Sequence, residues 1–163
     1  MKIVFIAFLF AASGLAQNSS SACGPENVSF KVTLDKSHSS LPKPEPGKAT
    51  VVFIQDFGGQ KFGIGVHVTA RIGSDGSWVG AIRDNSYSSV FLDPGERHIC
   101  VDARTGLFAI PAEFAHFTAE AGKVYYFRWR YLSIGGLLLA PVDSDEAKYQ
   151  IAQFPLSISK PKK

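Results

Sequence analysis

Tyr87–Leu92 (YSSVFL), Asp93-Pro94-Gly95-Glu96 and Arg97–Ala103 (RHICVDA) read as a strand, a tight turn and a second strand. Proline presets the first central φ of a type II turn, and glycine accepts the positive second one. In the second strand Ile99, Val101 and Ala103 point one way, while His98, Cys100 and Asp102 point the other. The same grammar extends outward in both directions. Val28–Asp35 (VSFKVTLD) alternates cleanly and predicts a half-buried strand. Ala49–Gln55 (ATVVFIQ) is a continuous apolar run, the mark of a central strand covered on both faces. Val66–Ile72, the turn Gly73-Ser74-Asp75-Gly76 and Ser77–Ile82 predict a hairpin. Ala115–Ala119 and Lys123–Leu132 flank the tight connection Glu120-Ala121-Gly122. Leu137–Ala140 adds a further strand, and Leu156–Ser159 an edge strand.

One segment changes period. In Asp143–Phe154 (DSDEAKYQIAQF), Asp143 is a candidate N-cap with Glu146 three residues on. Ala147, Ile151 and Phe154 share a helical face, and Pro155 stops the run. The expectation is an all-β chain: a single β-sandwich or barrel-like domain of about eight short strands with one short C-terminal helix.

Domain organisation follows from the flanks. Met1–Gln17 (MKIVFIAFLFAASGLAQ) has a positive Lys2, an apolar core and small residues before Gln17. This is the anatomy of a secretory signal peptide at residues 1–16, cleaved after Ala16. The apolar run Ile3–Ala12 is about half the ~20 residues that a membrane-spanning helix needs. Residues 17–47 form an N-terminal strand and a linker, where Pro42, Pro44 and Pro46 exclude a sheet interior. Residues 48–159 form the sandwich, joined by strand 28–35, and 160–163 a basic tail. No integral membrane segment is expected after cleavage, and the location is secreted or periplasmic. A lipidated Cys23 is the alternative, but Ser20 stands where a lipobox needs a large aliphatic residue.

Cys23 and Cys100 are the two cysteines. An exported pair meets an oxidising compartment and reads as a disulfide that staples the N-terminal peptide to the body. A free thiol and a catalytic thiol are the alternatives. Charge excludes one large class of partner. The formal charge is +3, yet without Lys2, Lys160, Lys162 and Lys163 the 17 bases no longer outnumber the 14 acids. Nucleic-acid binding needs clustered Lys and Arg along a surface, so none is expected.

Few groupings offer chemistry. His98, Cys100 and Asp102 share a strand face, but neighbours at i and i+2 stand ~6.6 Å apart, against the ~3 Å that a nucleophile and its base require. No catalytic residue is assigned on that ground. His38, His67, His98 and His116 share no short ligand spacing, so any metal site would have to be assembled by the fold, and none is assigned. No cofactor is implied either, since the glycines at 58–59 and 63–65 lie outside a strand-to-helix context. Lys123–Leu132 separates into an aromatic stripe (Tyr125, Phe127, Trp129, Tyr131), read as core, and a polar face of Tyr126, Arg128 and Arg130. The two guanidiniums either clamp a carboxylate or phosphate or pair with acids on a neighbouring strand. These three residues are the candidate binding site. Phe57, Phe62, Phe108 and Phe114 fall in expected loops, where they cap the sheet ends or form a partner-binding patch.

Several local patterns line up with a known family. Cys23-Gly24-Pro25, Gly47-Lys48-Ala49, Gly76-Ser77-Trp78-Val79-Gly80, Asp93 to Cys100, Ala119 to Arg128 and Leu139-Ala140-Pro141-Val142-Asp143 together resemble an exported bacterial domain family of unknown function, number 2846. The resemblance spans about residues 45–153. The turn-and-strand part is also similar to PEGA-type modules, which implies an Ig-like or PEGA-like sandwich. The resemblance brings no activity and no catalytic residues. It implies an envelope or extracytoplasmic β-domain, and the expectation built on the whole reading is a non-catalytic binding or structural module of the envelope that meets an envelope protein or a glycan through loops or an open sheet edge. The alternatives are a small-molecule carrier, with the aromatic stripe lining a cavity, and a hydrolase-type enzyme whose pocket is lined by Arg128, Arg130, His98 or His116.

Overall fold

Ala49–Asp56 forms strand β2, buried at every position except Asp56. A computed structural model describes residues 23–37, 41, 43–57, 67–104, 109–132 and 136–162. The proposed signal peptide, His38, Phe62, Phe108 and the glycines at 58–59 and 63–65 lie outside the described residues. The remaining elements are β1 (Phe30–Asp35), β3 (Thr69–Ser74), β4 (Ser77–Arg83), β5 (Ser86–Leu92), β6 (Gly95–Arg104), β7 (Ala109–Ala119), β8 (Val124–Leu132), β9 (Gly136–Pro141), α1 (Ser144–Ile151) and β10 (Leu156–Pro161). They build an all-β sandwich. One sheet has the order β1-β10-β5-β2-β8-β9 and the other β4-β3-β6-β7.

The long apolar run in β2 has a simple cause. Val51 and Phe53 face the second sheet and pack with Phe127, Trp129, Ile72 and Ile99. Val52 and Ile54 face away from it and are covered by Ala147 and Ile151 of α1, together with Tyr87 and Tyr126. A strand at the centre of three layers has no solvent side, so period-two alternation disappears. β2 pairs antiparallel with β5 and parallel with β8, and Thr50 stands opposite Val124.

The β3–β4 hairpin read from sequence is present, whereas the Pro94-Gly95 turn carries the chain from β5 in one sheet to β6 in the other. Asp75 and Gly76 join β3 to β4 with φ of 50° and 77°, the left-handed pair that a two-residue hairpin turn requires. Gly95 carries a φ of 123° where the chain leaves Pro94 for β6. Three expectations need correction. Ten strands stand among the described residues where about eight were expected, and β7 begins at Ala109 and not at Ala115. The register of β6 and β7 shifts between Val101 and Ala103, so β7 carries an extra residue near Pro111, a proline tolerated at a bulge on an edge strand. Phe114 therefore belongs to a strand, not a loop. Finally, β10 is not an edge and Lys160 is not part of a tail: the strand runs to Pro161 between β1 and β5.

β10 also closes one side of the sandwich. The hydroxyls of Ser159 and Ser157 accept the amides of Ala81 and Arg83 at 3.1 and 3.2 Å. These are free edge amides of β4, and the serines substitute for the missing strand partner. No helix among the described residues is long and apolar enough to cross a membrane.

Candidate functional site

The polar face of β8 lies beneath α1. Asp143 caps the helix, its Oδ1 accepting the amides of Asp145 and Glu146 at 2.9 Å each. Those two hydrogen bonds stabilise the ionised carboxyl and hold its pKa below the usual range. Glu146 does not fold back onto the cap. Its carboxylate accepts from Arg128 instead. Arg128 also donates from its second terminal nitrogen to Asp56 Oδ2 at 2.5 Å, and Gln150 Nε2 donates to the same oxygen at 3.1 Å. Asp56 ends the neighbouring strand β2, so the guanidinium joins strand, strand and helix.

Arg130 is placed differently. With Arg128, Ala140, Pro141, Val142, Asp143 and Glu146 it lines a recess of about 200 Å³. It makes no hydrogen bond or ion pair among the described residues. Tyr126 does not join this recess. It is packed under α1, where burial pushes its hydroxyl pKa upward, and it lines an adjoining apolar recess of about 270 Å³ with Tyr125 and Phe127. The three candidate binding residues thus share a sheet face, but only the two arginines share a recess.

The aromatic stripe is core over most of its length. Phe127 and Trp129 are fully buried between the sheets, Phe57 sets its ring edge-on to Trp129 at 5.0 Å, and Tyr125 packs against Phe117 at 4.7 Å. Tyr131 departs from the expectation and is 41% exposed near the strand end.

On the outer face of the four-stranded sheet, His98, Cys100 and Asp102 go to three different partners. Cys100 lies at bonding distance from Cys23, with Cα atoms 5.9 Å apart. The ring of His98 lies beside that of His116, centroids 6.1 Å apart. Asp102 takes both ends of the Arg71 guanidinium, at 2.9 and 2.6 Å. No family model, curated protein or solved structure matches this chain. Its function is therefore argued from this geometry.

Arg71 is the residue that sequence reading missed. Besides Asp102 it donates to the carbonyls of Glu26 and Val28, and its guanidinium stacks 4.0 Å over the Trp78 ring. Trp78 in turn donates to the Pro25 carbonyl at 2.7 Å. Gly73 makes room for the staple, since a Cβ there would stand 2.7 Å from both Cys100 Sγ and the Cys23 carbonyl oxygen. The segment from Cys23 to Val28 is thus sewn to the outer sheet face by a sulfur pair, a cation and an indole. Among the described residues, no three His, Cys, Asp or Glu side chains converge as a metal cluster. His67 pairs with Asp84 at 2.8 Å.

Proposed function

We propose that this chain is an exported, non-catalytic binding or structural module of the bacterial envelope, meeting a protein or glycan through its surface. The observation that carries the reading is the filled interior. Phe53, Phe127 and Trp129 occupy the space that a carrier would keep open. Three recesses lined by described residues measure about 200, 270 and 280 Å³, below the ~300 Å³ where small-molecule sites begin. The charged groups that an enzyme would aim at a substrate are spent on architecture: Arg128 on Asp56 and Glu146, Arg71 on Asp102. The cysteine pair fits an oxidising compartment, in keeping with export by residues 1–16 and with the resemblance to exported envelope domains.

A second reading has one observation in its favour. Arg130 brings a guanidinium that is unpaired among the described residues to a recess that fits one carboxylate or phosphate group. On this reading Arg128 and Arg130 hold an acidic group of a ligand, while Tyr126 lines the neighbouring apolar recess.

The test is capture of the tagged, exported protein from its native host after mild crosslinking, read by mass spectrometry and glycan analysis. A reproducible stoichiometric envelope protein or glycan supports the module. A monomer that captures nothing and instead binds a small acidic ligand, losing it in Arg130→Ala, overturns it in favour of the second reading.

A further inference from the structure

The histidines share no ligand spacing along the chain, yet the fold sets two of them side by side. The β6–β7 ladder pairs His98 with His116 directly, and both side chains are exposed on the outer face of the four-stranded sheet. Facing residues in an antiparallel pair have Cβ atoms about 4.5–5.5 Å apart, within reach of one bridging ion. Two imidazoles bound to one ion through metal–nitrogen bonds of ~2.0–2.1 Å bring their ring centres to roughly 5–6 Å. The rings already stand at 6.1 Å, inclined by 26°.

The surroundings hold this pair still. One row along, Thr118 donates to Glu96 across the same two strands at 2.5 Å. In the row on the other side, Cys100 is tied to Cys23. The backbone amide of His98 donates to Asp75 Oδ1 at 2.9 Å, fixing β6 to the β3–β4 turn. A chelate on such a rigid ladder loses little freedom when it closes.

We propose that His98 and His116 form a two-histidine chelate for a divalent transition-metal ion, copper(II) foremost, with water completing the coordination. Imidazole suits copper, nickel and zinc, and the Irving–Williams order places copper(II) highest for a given nitrogen site. Binding is a ligand exchange: two neutral imidazole nitrogens replace two waters of the hydrated ion, and no electron moves. The site is independent of the envelope-module reading and stands or falls separately.

The experiment is a copper(II) titration of the tag-free, disulfide-bonded protein, followed by electron paramagnetic resonance and by thermal unfolding. One equivalent is expected to bind with two-nitrogen coupling and to raise the melting temperature, because the ion binds the paired strands and not the unfolded chain. His98→Ala and His116→Ala should each weaken binding by about 100-fold, the loss expected when a second tethered ligand is removed. Both positions are exposed, so the variants keep the fold, as far-ultraviolet circular dichroism would check. His67→Ala should bind as the wild type does. Wild-type affinity in either single variant of the pair, one-nitrogen coupling in the parent protein, or loss of the ion in His67→Ala overturns the proposal.

Discussion

Arg71 and Asp102 meet across β3 and β6 in a two-pronged ion pair whose side chains are only 11% and 6% exposed. The guanidinium is also the roof under which Glu26 and Val28 are held, through their carbonyls. Removing the carboxylate leaves a nearly buried cation without its two-pronged partner. Asp102→Ala is therefore expected to cost about 3–5 kcal/mol in urea unfolding, the range for breaking one side of a buried pair. It should also release the segment from Cys23 to Val28 to faster amide exchange. A loss below about 1 kcal/mol would mean that the pair behaves as a solvated one.

The sulfur pair acts on the same segment by another route. Cys23 and Cys100 are 77 residues apart in sequence. Opening a loop of that length is expected to destabilise by roughly 4 kcal/mol through the entropy of the unfolded chain. The double variant Cys23→Ser/Cys100→Ser should show this loss under oxidising conditions, and the reduced parent should match it. Gly73→Ala attacks the same place without touching sulfur. Its new methyl meets Cys100 Sγ and the Cys23 carbonyl oxygen, both at 2.7 Å, and the cost of such overpacking is about 1–3 kcal/mol. In the double serine variant the obstructing Cys100 sulfur is replaced by a smaller oxygen, so the cost of the alanine should shrink.

How far these features can be read from the chain depends on whether their cause is local. The strands β2, β5 and β8, the Asp75-Gly76 turn and the Asp143 cap each follow from neighbouring residues. β7 does not, because Pro111 argues against a strand unless the bulge opposite Val101 and Ala103 is known. Lys160 reads as tail for the same reason: only the placement of β10 between β1 and β5 puts it in a sheet. The site divides in the same way. Alternation shows that Tyr126, Arg128 and Arg130 share a face, but which acids reach Arg128 depends on a parallel neighbour 72 residues away and on a helix 18 residues on. Arg71 carries no local signal, since its partners Asp102 and Val28 are 31 and 43 residues distant.

The two arginines of β8 should separate sharply on mutation. Arg128→Ala takes the guanidinium away from Asp56, whose side chain is only 12% exposed, and cuts the tie to α1. A loss of about 2–3 kcal/mol is expected in chemical denaturation, since a hydrogen bond to a charged group is removed and its acceptor left buried. Arg130→Ala breaks no bond among the described residues and should stay within about 0.5 kcal/mol of the parent. If Arg130→Ala proves as costly as Arg128→Ala, its guanidinium is part of the architecture, and the recess is not available for an acidic ligand.

The helix that covers β2 should respond to acid through its cap. Asp143 is held ionised by the amides of Glu146 and Asp145, so its folded pKa lies below its unfolded value. Its contribution is therefore present in full above the unfolded value, about 3.9, and is lost as pH falls through the folded one. Stability followed from pH 6 to pH 2 should therefore fall in the acid range, and part of that slope belongs to Asp143. Asparagine keeps an oxygen for the same two amides but cannot titrate. Asp143→Asn is expected to flatten the acid slope while preserving α1, whereas Asp143→Ala should destabilise at neutral pH as well. Equal acid slopes in the parent and the asparagine variant would place the titration on other carboxyls, Asp75 first, because its pKa is also held low. There, desolvation, which raises it, is outweighed by hydrogen bonds from the His98 amide, Arg97 and Ser74.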